Sequence, residues 1–286
     1  MKIKTIWLLT TVLLWVQGIS ATEADEDRYD GLQPKHKLKI RIGGNIADDY
    51  DTTMRFDSKR NRFGTLLDLE DDFNIDSNES IWQVDGFYRI DERHRISFSS
   101  YSSRRSGKVT AGRDFEIGDP DKLLSGIIPV NAEVHTKLNL NLLKLGYGYS
   151  FINRRKFEAN VGAGVNFSDL DFSIAYKTQI GNRVKGDIIS VTAWVPLPTA
   201  TISGRWNFTE KLEANFRFDL LYLESDDYDG YYQEALLGLE HNTFKNVGFG
   251  LGMKSSTIQL RGKEDDIDGE LDTRVFGLLL YLKLYL

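Results

Sequence analysis

The chain has 286 residues, of which 41% are hydrophobic and 27% charged, a size that fits one large domain or two small ones. It holds no cysteine, which excludes a disulfide scaffold, a thiolate metal site and a cysteine nucleophile. A net charge of −6 argues against a nucleic-acid partner, because phosphate binding needs a basic footprint.

Residues 1–21, MKIKTIWLLTTVLLWVQGISA, carry Lys2 and Lys4 ahead of an apolar run from Ile6 to Val16, then the small residues Gly18, Ser20 and Ala21. That order is a secretory signal peptide. The apolar run is shorter than the roughly 20 residues a spanning helix needs, and no later segment is apolar enough to serve. Residues 22–36 are expected to form a short periplasmic segment.

From residue 37 to 286 apolar residues recur at every second position. Leu38, Ile40, Ile42 and Ile46 alternate with Lys39, Arg41 and Asn45, and Trp82, Val84, Tyr88 and Ile90 with Gln83, Asp85 and Arg89. The same pattern runs through Ala159–Phe167, Ala214–Tyr222 and Val247–Met253. Alternate side chains of a strand point to opposite faces, so each segment has one apolar face and one polar or glycine-lined face. Short polar gaps at Asp91–His94, Asn153–Lys156, Thr209–Lys211 and Lys245–Asn246 alternate with longer stretches at 48–79, 105–131, 177–190, 225–230 and 263–270. Short turns at one end and long loops at the other predict an all-β fold, a closed antiparallel transmembrane β-barrel of the outer-membrane type.

Ten strands are expected, near 37–47, 80–90, 95–105, 132–152, 157–176, 191–208, 212–224, 231–243, 247–262 and 271–286, with eight or twelve also compatible. Aromatic residues gather at strand ends, with Tyr88, Phe98, Phe151, Phe157, Phe208, Phe216, Phe244 and Phe249 near the short turns. Trp82, Tyr176, Trp194 and Tyr222 lie toward the other ends. Two such bands match the girdles at a bilayer's two interfaces, whereas a soluble β-sandwich buries such rings mid-strand. Three irregularities stand out. The apolar parity of 132–152 changes between Leu138-Leu140-Leu142 and Leu143-Leu145-Tyr147, which suggests a bulge near Leu142. Pro196 and Pro198 interrupt 191–208. Segment 63–73 (FGTLLDLEDDF) reads as an outer extension of the first hairpin or a separate strand.

If the apolar stripe faces lipid, the other lines the lumen with Lys39, Arg41, Asp85, Arg89, Lys144, Glu158, Arg205, Glu213, Arg217, Asp219, Glu240 and Lys254, joined by Glu234 and Lys283. Both signs are present, and Gly162, Gly164, Gly248, Gly250 and Gly252 leave room. The set describes either a narrow solute pathway or an ion-pair network filling a small barrel. No catalytic residue, metal site or cofactor is assigned. His135 with Ser103 or Ser125 is the arrangement a barrel hydrolase of lipid or peptide would use. Loops 48–79 and 105–131 would serve an adhesin. The acidic stretches 225–230 and 263–270 lack a full calcium-loop pattern.

Gly64–Phe73, Asp85-Gly86-Phe87-Tyr88-Arg89, Arg93-His94-Arg95 and Leu145–Phe151 resemble uncharacterised outer-membrane β-barrel proteins of proteobacteria. The resemblance implies a cell outer-membrane location and carries over no activity. The last strand, ending Tyr285-Leu286, resembles the C-terminal assembly signal of such proteins, which usually ends in an aromatic residue. The expected partners are outer-membrane lipid, lipopolysaccharide and the barrel-assembly machinery. The expected function is a structural or small-solute pore protein, with no enzymatic activity assigned.

Overall fold

The computed structural model describes residues 36–58, 66–75, 82–117, 126–180, 183–224, 228–263 and 267–286. The expected signal peptide, 1–21, and the segment that follows it as far as residue 35 lie outside the described residues. Ten strands form the wall: β1 (Leu38–Ser58), β3 (Trp82–Arg89), β4 (His94–Thr110), β7 (Glu133–Asn153), β8 (Phe157–Ile180), β9 (Arg183–Asn207), β10 (Leu212–Glu224), β11 (Tyr228–His241), β12 (Val247–Lys263) and β13 (Ile267–Tyr285). Three short strands, β2 (Leu66–Asp68), β5 (Phe115–Ile117) and β6 (Gly126–Ile128), belong to the connections.

Each wall strand pairs antiparallel with its neighbours, and β13 pairs back onto β1 from Lys39↔Tyr285 to Ser58↔Ile267. Closure is what hydrocarbon demands, since an unpaired backbone N–H or C=O there costs several kcal/mol. The described turns at one end are short. Asp91 caps one of them, its carboxylate accepting the Arg93 and His94 N–H groups at 2.8 Å, and those bonds hold its pKa below the usual range. Thr209 caps another through its hydroxyl, which accepts the Leu212 N–H at 3.0 Å.

The described parts of 177–190, 225–230 and 263–270, expected as long loops, are strand. The hairpins continue upward until Ile180 pairs with Arg183, Glu224 with Asp229 and Lys263 with Asp268. The polarity of the two faces inverts on the way. Near the short turns Tyr88, Ile96, Leu145, Val161, Ile202, Leu239, Leu251 and Leu280 are exposed on the outside. Farther out the exposed side chains are Asp49, Asp51, Arg104, Lys108, Lys137, Ser255, Gln259, Arg261 and Arg274. The apolar residues there point inward. Met54, Leu138, Leu170, Phe172, Ile174 and Leu271 form one buried cluster, and Leu197, Leu221, Tyr232 and Ile258 another.

That inversion accounts for the parity change on β7. Pairing with β4 runs without a register shift from His94↔Tyr149 to Thr110↔Glu133, so no bulge lies near Leu142. Leu138 is buried inside with Leu140 and Leu142 packed toward the interior, while Leu143, Leu145 and Tyr147 stay on the outside. Outside the bilayer the surroundings are water, and the only apolar refuge is the barrel axis. Register shifts fall elsewhere, at Asn45/Ala47 on β1, where Ile46 is the extra residue, and at Ser150/Ile152 on β7. Tyr176, expected in the outer girdle, instead packs against the inner apolar cluster.

Segment 66–75 patches the wall where β3 is too short to accompany β1. β2 pairs with β1 from Thr53↔Asp68 to Arg55↔Leu66, and Ile75 bridges to Gly107 on β4. Asn74 takes the left-handed conformation (φ 49°), which asparagine tolerates better than most residues. Leu67, Leu69, Phe73 and Ile75 all point into the apolar cluster. Phe73→Ala is expected to weaken this patch by about 3–5 kcal/mol through the cavity it leaves. The readout is the rate of proteolytic cleavage within 66–75, which should rise while the membrane-embedded strands stay protected.

Pro196 and Pro198 lie within β9 just above the last β9–β10 pair, Leu220↔Ala200. There β9 keeps β8 as its partner but has parted from β10, and a strand edge is where proline's missing N–H is tolerated.

Candidate functional site

The lower half of the barrel interior holds the polar stripe. A strand's inward charges meet partners from distant strands, because the axis is the only place to which all of them point. Lys39 on β1 bonds Glu213 on β10 and Glu240 on β11, both at 2.6 Å. Lys283 on β13 reaches the same two carboxylates at 3.1 and 2.9 Å. Arg41 pairs with Asp85 and lies 3.3 Å from Glu240, which also accepts Asn215 at 2.7 Å and the Tyr281 hydroxyl at 3.1 Å.

A second knot centres on Arg217, with Glu234 at 2.6 Å, Asp219 at 3.2 Å and Asp85 at 3.9 Å. Lys254 joins through Glu234 at 3.0 Å, and Lys144 pairs with Asp219. The third knot lies nearer the short turns. Glu158 takes Arg89 at 2.9 Å, Arg205 at 3.4 Å and Arg95 at 4.0 Å, and Arg205 links it to Glu213 at 3.8 Å. The bonds join all three knots into one network.

Every charged residue expected on the polar stripe sits in this network, and most are under a tenth exposed. Sequence reading missed Arg95, although the turn makes it legible: Arg89 pairs directly with Arg95, so both share a face. His36 sits at the short-turn mouth, where its ring packs on Tyr285 at 4.3 Å. Burial, helped by Lys39, Arg205 and Lys283, pushes that imidazole down to about 3, so it is neutral at pH 7.

The glycines divide into two groups. A Cβ on Gly250 would strike the Tyr281 ring and one on Gly248 the His241 carbonyl, so these two make room for close neighbours rather than open space. Gly146, Gly148 and Gly162 lie in the wall of a cavity of about 90 Å³ shared with Arg95, Lys144, Arg205 and Arg217, although a Cβ on Gly148 would meet the Asn160 side chain. Toward the outer end a separate cavity of about 30 Å³ lies between the apolar clusters.

The hydrolase arrangement is not assembled. His135 points outward, half exposed, with its Nε2 3.3 Å from Glu133, whereas Ser103 is buried on the inner face. Ser125 lies outside the described residues. Among the described residues no group of three or more His, Asp or Glu side chains could hold a metal ion. Parts of the acidic stretches, 225–227 and 264–266, lie outside them.

The barrel superposes on the crystal structure of the outer membrane protease OmpT from Escherichia coli with a TM-score of 0.58, covering 90% of this chain and 100% of that one. This chain has an outer-membrane β-barrel fold. At 11% identity the likeness is one of fold alone. Matches to the toluene transporter TodX of Pseudomonas putida and to Ail of Yersinia pestis are looser. TodX has a TM-score of 0.33 and 8% identity over 88% of this chain and 91% of its own, and Ail 0.29 and 11% over 86% and 99%. No family model matches the chain, and no curated protein matches it.

Proposed function

We propose that this chain is an integral outer-membrane protein with a structural role, its barrel closed at rest by an ion-pair network below and an apolar layer above. The observation that carries the reading is the interior itself. Where a porin keeps a water-filled passage, this barrel has side chains joined across its axis, and Lys39 spans from β1 to β10 and β11. The apolar layer adds a second barrier on the outer side.

Location in the outer membrane is supported by the band of outward apolar side chains. On β8 it runs from Phe157 to Phe167, close to the roughly 9–11 residues a tilted strand needs to cross a bilayer. Trp82, Trp194 and Tyr222, 65%, 62% and 70% exposed, lie toward its outer edge. The reading includes secretion through a leader at 1–21, contact with lipopolysaccharide, and insertion by the barrel-assembly machinery through the terminal strand.

Planar-bilayer recording tests it. The reconstituted barrel is expected to leave the bare-bilayer current unchanged in molar salt. Frequent long-lived conductance steps would place it among the small-solute pores instead.

A further inference from the structure

The interior network is unbalanced in charge. Its cations are Lys39, Arg41, Arg89, Arg95, Lys144, Arg205, Arg217, Lys254 and Lys283, against the carboxylates Asp85, Glu158, Glu213, Asp219, Glu234 and Glu240. The chain as a whole is acidic, so this excess runs against the overall charge. It is also local. Glu158 alone serves three guanidinium groups, those of Arg89, Arg95 and Arg205, and has Arg95 no closer than 4.0 Å.

The cavity of about 90 Å³ opens beside this knot, with Arg95 and Arg205 in its wall. Hydroxyl and amide donors share the wall: Ser97, Ser99, Asn160, Thr201 and Ser203. Arg205 is 9% exposed, yet its Nε has no acceptor among the described residues. Arg95 spends one bond on the Ser203 hydroxyl, at 2.6 Å. A buried cation that is neither paired nor hydrated is costly, and a surplus of them at one cavity calls for a negative counter-charge. Gly146, Gly148 and Gly162 add no side chain to its wall, and a cavity this size has room for several water-sized spheres.

We infer that this cavity is a binding site for a small inorganic anion, held between Arg95 and Arg205 inside the barrel. The anion completes the charge balance around Glu158. The inference goes beyond the closed-barrel reading and stands whether or not the barrel conducts, since it concerns only what neutralises the interior.

The test starts from barrel refolded in an uncharged detergent in chloride-free sodium gluconate, a bulky and weakly coordinating anion. Chloride is exchanged for gluconate at constant ionic strength while Tm is read. A saturable rise of several degrees is expected. It should vanish in Arg95→Gln, which removes one of the three guanidiniums, and in Ser203→Asp, which supplies the negative charge from the protein itself. If Arg95→Gln does not fold, Ser203→Asp decides alone. Sulfate added in place of chloride separates a tetrahedral oxyanion from a halide, and a response to either supports the site. No response to either anion, or an equal response in Ser203→Asp, overturns it.

Discussion

Glu240→Ala is expected to be among the most damaging single substitutions in the membrane-embedded half. The residue is fully buried and receives Lys39, Lys283 and Arg41 as well as Asn215 and Tyr281. Truncation leaves three cations with reduced compensation in an interior that already carries more cations than carboxylates. Breaking a buried pair from one side typically costs about 3–5 kcal/mol, because the cost is the stranded partner and not merely the lost attraction. The measurement is the urea midpoint of the barrel folded in detergent micelles. Glu270→Ala provides the contrast. Its partner Arg261 sits 2.8 Å away, but both side chains are about half exposed, and such surface pairs are worth at most about 1 kcal/mol. Equal midpoint shifts in the two variants would mean that the interior network is solvated and contributes little.

The network explains why its partners were less legible than its members. Membership follows from parity: Glu213, Arg217 and Asp219 alternate with Ala214, Phe216, Phe218 and Leu220, so period two alone assigns them to the non-lipid face. Partnership does not follow from parity. Lys39 and Glu213 are 174 residues apart and on strands that are not neighbours in the sheet, so only closure of the wall brings them together. Arg95 was overlooked for a simpler reason. It opens β4 just after a turn, although its alternation with the outward Ile96 and its pairing with Arg89 both place it inside.

The wall itself was legible because lipid imposes a strict contrast between its two faces. All ten expected strands have counterparts, and their inner ends agree closely with the expected ones. The outer ends were misjudged where the surroundings change from hydrocarbon to water. There the outward face turns polar, as at Ser255, Thr257 and Gln259 on β12, and Ile258 between them points inward. A pattern with its faces exchanged resembles a loop when one face is assumed to be greasy throughout. The same exchange makes Leu142 and Leu143 look like the two sides of a bulge. They are consecutive residues of a regular strand at the depth where the apolar surroundings move from outside to inside.

That depth can be located by charge scanning along the outer face of β7. Leu145 is 48% exposed and sits within the outward apolar band. Leu145→Arg is expected to cost about 2–4 kcal/mol, the range for a cation on the lipid face near the bilayer midplane. Asn139 is on the same face six residues farther out, beyond the parity change, next to the exposed Lys137. Asn139→Arg should stay within about 0.5 kcal/mol of the parent, as surface substitutions away from special features do. Reversible folding into phosphatidylcholine vesicles measures both. The contrast depends on the bilayer and should collapse when the same pair is unfolded from a short-chain detergent, because a micelle lets a cation reach water more easily. If Asn139→Arg proved as costly as Leu145→Arg, the hydrocarbon would have to extend past Leu142, and the apolar clusters around Leu138 and Phe172 would lie within the membrane instead of above it.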